Sequence, residues 1–274
     1  MVSGVTAVYV PKCTTGRPVR RAEGFLILEK VIMSNGQKVA VITGASQGIG
    51  AGLVEAYRKL GYAVVATSRT IAPFDDADVV TVQGDIADPA TAERVIAAGL
   101  ERFGRVDTLV NNAGIFVAKP FTDYSRDDFA AVTGVNVAGF FHVTQLAVRS
   151  MLTQGGGHIV NITTSLVDNA DGDVPSALAS LTKGGLQSAT KSLAIEYATR
   201  GIRANAVSPG TIKTPMHPGE THQALATLHP MGRMGEVSDI VDAVIYLENA
   251  PFVTGEILHV DGGMSAGHRT VGSR

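Results

Sequence analysis

The chain has 274 residues, a single cysteine and no tryptophan, and its net charge is only −2. Each scarcity excludes something. Cys13 has no second cysteine to pair with, so an internal disulfide is impossible and a cytoplasmic setting is expected. The near-neutral balance, with no basic stripe, excludes the electrostatic footprint of a nucleic-acid binder. No run of apolar residues reaches the roughly 18–20 needed to span a bilayer, so no membrane is expected as a partner. Lys12, Arg17, Arg20 and Arg21 interrupt any apolar segment before residue 33, and no small-residue cleavage site follows one, which argues against a signal peptide.

From Lys38 onward the chain has a regular rhythm. Strand-length apolar runs at residues 39–43, 63–67, 79–82, 108–111, 158–162, 204–208 and 257–260 alternate with helix-length amphipathic stretches at 49–60, 90–103, 126–153, 176–199 and 237–249. The runs are rich in Val and Ile and continuous rather than alternating, as parallel strands covered on both faces should be. The pattern predicts an α/β fold: one domain, residues 38–268, built on a doubly wound parallel sheet of seven strands, the Rossmann arrangement. Residues 1–37 break the rhythm and read as a poorly ordered extension, with Met33 an alternative start, and 269–274 as a short tail.

The first strand runs into Thr43-Gly44-Ala45-Ser46-Gln47-Gly48-Ile49-Gly50 and then a helix. Glycines at a strand-to-helix turn let a pyrophosphate approach the backbone, and the helix N-terminus offers it free N–H groups. The second strand ends at Thr67-Ser68-Arg69. An acid normally stands there to hold the ribose 2′-OH of NAD. Between Ala56 and Phe74 there is none, and Arg69 suits a 2′-phosphate instead, so NADP is expected over NAD.

Further segments join this loop in order: Asn111-Asn112-Ala113-Gly114, Asn136 within a long helix, Ser180-Leu181-Thr182-Lys183-Gly184-Gly185, Pro209-Gly210 with Thr214 beyond it, and Val260-Asp261-Gly262-Gly263. Together they resemble the classical short-chain dehydrogenase/reductase family over about residues 38–263. The resemblance implies that Gly44, Gly48 and Gly50 cradle the pyrophosphate with Ser46 and Ile49 alongside. Asp85 and Ile86 would meet the adenine, and Asn111 and Gly114 would line the cleft. Pro209, Gly210, Ile212 and Thr214 would hold the nicotinamide end. Asn136 and Lys183 match two members of the family's catalytic Asn-Ser-Tyr-Lys group, with Lys183 also binding the nicotinamide ribose.

The tyrosine of that group should stand four residues before Lys183, where this chain has Ala179; none of its six tyrosines is nearby. The serine position falls on Thr164 or Ser165. A positioned acid is worth about 10²–10⁴-fold, and alanine supplies none of it. The expected function is therefore an NAD(P)-dependent oxidoreductase acting on a carbonyl or alcohol with an altered proton relay, for which Lys183 through a water, Ser176, Ser180 or the 164/165 hydroxyl are alternatives. A non-catalytic dinucleotide-binding sensor or structural protein, and a lyase or isomerase, are the other readings. The resemblance implies that residues 215–233 form a substrate lid; its His217, His222 and His229 do not match a common zinc spacing, so no metal is expected. A stripe of Gly184, Gly185, Ser188, Ala189 and Ser192 is read either as close packing on the sheet or, from the resemblance, as part of a homodimer or homotetramer interface.

Overall fold

The computed structural model describes residues 36–267; the readings of the N-terminal extension, the start at Met33 and the C-terminal tail lie outside the described residues. All seven expected strands form: β1 Val39–Thr43, β2 Ala63–Ser68, β3 Val79–Gln83, β4 Thr108–Asn111, β5 Gly157–Ile162, β6 Ile202–Pro209 and β7 Ile257–Val260. They pair in parallel in the order β3-β2-β1-β4-β5-β6-β7. The order reverses between β1 and β4, which places a crevice at the C-terminal ends of those strands.

Helices cover both faces. α1 Gly48–Lys59, α2 Pro89–Phe103, α5 Ala177–Tyr197 and α7 Val237–Asn249 follow the expected amphipathic stretches within a residue or two. The expected helix at 126–153 is continuous but not uniform. α3 Arg126–Thr133 and α4 Phe140–Gln154 are joined by a π-helical turn, Gly134–Gly139, centred near Asn136. By length and composition the stretch Arg126–Gln154 could cross a membrane. Its Val132, Val143, Ala147, Val148 and Met151 are instead buried in the domain. A further short helix, α6 His222–Ala226, lies in the segment read as a lid; its five residues are too few for a helical period to show.

The core is two layers, one on each side of the sheet. Ile42, Leu53, Tyr57 and Leu247 belong to one and Val41, Leu109, Met151 and Ile159 to the other, all fully buried.

At the N-terminal edge of the strands lies a polar cluster that hydropathy cannot reveal. Glu248 of α7, its side chain 6% exposed, accepts from His158 Nδ1 at 2.9 Å, Tyr62 OH at 2.9 Å, Tyr57 OH at 3.1 Å and Thr108 Oγ1. Burial works against its charged form, but the hydrogen bonds from His158, Tyr62 and Tyr57 outweigh burial and hold its pKa down to about 2. Burial also lowers the pKa of His158 and keeps it neutral, despite the neighbouring carboxylate. The neutral ring donates through Nδ1 and receives Asn205 Nδ2 at Nε2, 3.1 Å away. Every member is thus paired, the condition under which a buried polar network stabilises.

Candidate active site

A cavity of about 610 Å³ opens at the C-terminal ends of the strands, across the β1/β4 switch point. Its floor at one end is the glycine loop, with Gly44, Ser46, Gly48 and Ile49 in the wall. No side chain caps the N-terminus of α1, so its first N–H groups are left for a ligand. Thr67 lines the same cavity, with its Oγ1 buried and without a hydrogen-bond partner in the protein. A bare helix N-terminus beside a glycine cradle fits an anionic pyrophosphate. Arg69 follows β2 and is exposed at the rim, and Asp85 and Ile86 follow β3.

The other end is built from the loops after β4, β5 and β6. Gly114, Thr164, Ser165, Pro209, Gly210, Ile212 and Thr214 all reach the cavity wall, as do Ala179 and Lys183 of α5, one helical turn apart. Lys183 Nζ donates to Ile162 O at 2.7 Å, and burial lowers its pKa to about 8. Gly114 makes room for this ammonium: a Cβ there would stand 3.0 Å from Nζ.

Three residues named from the sequence are placed behind the wall rather than in it. Gly50 supports the loop from beneath: a Cβ there would lie 2.1 Å from Gly44 O. Asn136 is 1% exposed; its Oδ1 accepts from Ile115 N at 2.9 Å and its Nδ2 donates to Ile115 O at 3.1 Å and Thr182 Oγ1 at 3.2 Å. The π-helical turn aims it at the loop after β4, consistent with the concentration of such turns at functional sites. Asn111 is a correction. It is still inside the strand, so its side chain points into the sheet–helix layer, where Nδ2 donates to Thr144 Oγ1 and Asn161 Oδ1, both at 2.9 Å. The cavity residue is its neighbour Asn112, whose Nδ2 donates to Thr43 O and Gly44 O and ties the two loops together. The sequence already ends β4 at residue 111; what it does not show is that this last strand residue turns its side chain into the sheet–helix layer while the next one meets the crevice.

A cavity at the switch point, a glycine cradle and a buried lysine on α5 describe one family, and the comparisons agree. The family model described as enoyl-(acyl carrier protein) reductase matches residues 44–265. The chain belongs to the short-chain dehydrogenase/reductase family. A 3alpha-hydroxysteroid dehydrogenase of Mediterraneibacter gnavus is 36% identical over 241 residues, 82% of this chain and 96% of the relative. The solved structure of ElxO with NADP bound superposes with a TM-score of 0.77 at 30% identity, covering 84% of this chain and 100% of that one. The 3-ketoacyl-(acyl-carrier-protein) reductase of Brucella melitensis, complexed with NADH, gives 0.76 at 32% identity, covering 83% and 98%. This short-chain dehydrogenase/reductase is an NAD(P)-dependent oxidoreductase.

The rest of its cavity wall was not visible in the motifs. Phe116, Leu166, Val174, Met216, Leu225 and Met264 make it apolar. Of the three histidines in residues 215–233 only His217 lines the cavity, and burial lowers its pKa, with His222 adding to the effect. His222 Nε2 sits 3.0 Å from His217 O. His229 is buried; Thr211 N donates to its Nε2 at 2.9 Å, which leaves Nδ1 to donate to Leu225 O. It ties the α6 segment to the loop after β6. Among the described residues no group of three His, Cys, Asp or Glu could hold a metal.

Proposed function

We propose that this enzyme moves a hydride between NADP(H) and a small apolar carbonyl or alcohol compound, with a proton relay altered by alanine at position 179. The observation that carries the reading is the joint placement of the glycine cradle, Ala179 and Lys183 on one cavity. Gly44, Ser46, Gly48 and Ile49 would hold the pyrophosphate, with Gly50 shaping the loop. Asp85 and Ile86 would receive the adenine. Pro209, Gly210, Ile212 and Thr214 would hold the nicotinamide end, with Gly114 and Lys183 at the adjoining ribose. The bound dinucleotide would supply the hydride. The chain's own residues bind it, exclude water with the Leu225 and Met216 side of the lid, and place Thr164, Ser165 and Lys183 at the reacting end. Asn136 acts as a positioning residue through Ile115.

Millimolar NADPH should raise the melting temperature by mass action, and carbonyl compounds should then oxidise it. No thermal shift with NADPH or NADH would remove the dinucleotide from the site.

Arg69 supports the choice of NADP, because it stands at the rim after β2 where no acid is present. Arg69→Asp should weaken NADPH by roughly tenfold or more, since a hydrogen bond to a charged group is worth about 1.5–3 kcal/mol. NADH should be affected less. Equal losses in a fluorescence titration of both dinucleotides would free Arg69 of this role.

We further propose a cytoplasmic homodimer or homotetramer built from one catalytic domain, residues 38–268. The small-residue stripe supports this. Gly185, Ser188 and Ser192 face solvent rather than the sheet, beside Leu181 at 65% and Ile195 at 82% exposure. Such an outward apolar face on α5 fits a second copy of the chain.

A further inference from the structure

The alanine at 179 leaves open which group gives the substrate its proton, and the cavity wall narrows the choice. Five titratable side chains line it: Arg69, Asp85, Asp171, Lys183 and His217. Arg69 and Asp85 stand at the opposite end, after β2 and β3. Asp171 is folded back on its own loop, accepting from Asp173 N at 2.8 Å. Burial, reinforced by His222, favours the neutral form of His217, which makes it a poor acid.

The hydroxyls are mostly committed. Ser180 Oγ donates to Leu166 O at 2.9 Å, and Thr163 Oγ1 to Val207 O at 3.1 Å. Ser165 Oγ faces Met264 Sδ at 3.7 Å. Thr164 Oγ1 only accepts, from Leu166 N at 3.3 Å, so its own proton is unassigned.

Lys183 is different on every count. An ammonium has three N–H donors. One goes to Ile162 O, and among the described residues no carboxylate is paired with it. The side chain one turn before it on the same helix is a methyl group, and both residues line the cavity.

We propose that Lys183 is itself the proton donor of this enzyme, acting across the space that Ala179 leaves, directly or through water and the Thr164 hydroxyl. The assignment rests on the oxidoreductase reading above. As the carbonyl carbon gains a hydride, the carbonyl π pair moves to oxygen, and that oxygen takes one proton from Nζ. The resulting amine recovers a proton from solvent water. Burial brings the Lys183 pKa to about 8, close to working pH, where a general acid is most effective.

The test compares two hydride acceptors in the full chain. A diketone needs a proton when it is reduced; a permanently charged N-alkyl iminium ion does not. Lys183→Arg keeps the positive charge but cannot release a proton near neutrality. The ratio of diketone to iminium turnover should therefore fall roughly 10²-fold or more in Lys183→Arg, within the range expected for a general acid. A second readout needs no turnover. In the dinucleotide-free protein, acylation of Lys183 followed by mass spectrometry should rise through about pH 8. An unchanged turnover ratio, or acylation that rises only above about pH 10 as for an ordinary lysine, overturns the assignment while leaving the oxidoreductase reading intact. If the unmodified chain oxidises NADPH with neither acceptor, that reading falls and the assignment with it.

Discussion

Glu248→Ala should lower the stability of this protein by about 3–5 kcal/mol, the cost of removing one partner from a buried charged network. For a domain of this size that is roughly 10 °C in melting temperature. The change strands His158, Tyr57, Tyr62 and Thr108, four donors aimed at one carboxylate. The effect has a pH signature. The folded pKa of Glu248, about 2, lies below its ordinary 4.5, so its stabilisation is complete above about pH 4.5 and disappears as pH falls toward 2. His158 acts in the same direction from higher pH. Its folded pKa is depressed below 6.5, so protonation favours the unfolded chain once pH drops below that value. Melting temperatures of the parent should decline on acidification from near pH 6.5 and more steeply below 4.5. The gap between parent and Glu248→Ala should narrow by pH 3. A gap that is the same at pH 7.5 and pH 3 would show that the carboxylate charge is not the anchor.

Gly50→Ala should be the most damaging single-methyl change at the dinucleotide end. The added carbon would lie 2.1 Å from Gly44 O, 2.7 Å from Asn112 Nδ2 and 2.8 Å from Gly44 C. Two of these are backbone atoms, which cannot swing aside as a flexible side chain would. The loop must move, at a cost of about 1–3 kcal/mol typical of overpacking. The part that moves is the proposed pyrophosphate cradle, so NADPH affinity should fall by on the order of tenfold or more, in parallel with stability. Isothermal titration alongside thermal melts checks this. Undiminished NADPH affinity in a folded Gly50→Ala protein would mean that the cradle tolerates displacement.

Much of the architecture was legible because buried parallel strands carry their own label. Residues 39–43 and 63–67 are apolar without alternation, and β1 and β2 form within a residue of those limits. Helix α6 was not legible, because five residues cannot display a period of 3.6. At the site, the family resemblance pointed to Lys183, Ala179 and the glycine loop, and the fold brings Lys183, Ala179, Gly44 and Gly48 to one cavity. The resemblance misassigned Asn111 for Asn112, since one residue at a strand end decides whether a side chain points inward or to the crevice. The Glu248 cluster was invisible for a different reason. Glu248 lies 191 positions from Tyr57 and 90 from His158, and only the folded sheet makes them neighbours.

The two ends of the strands carry separate duties. The paired network of Glu248 and His158 grips the N-terminal edge, while the cavity is lined by the C-terminal ends of the strands, the loops that follow them and one face of α5. Substitutions at the two edges share no contacts, and free-energy changes at such separated sites are expected to add within about 0.5 kcal/mol. The apolar wall of Phe116, Leu166, Val174 and Leu225 can therefore be rebuilt for new substrates on a chassis whose melting point is set elsewhere. Directed evolution of selectivity should meet little stability trade-off in this chain until it reaches residues such as Gly50 and Asn136, which prop the wall from behind.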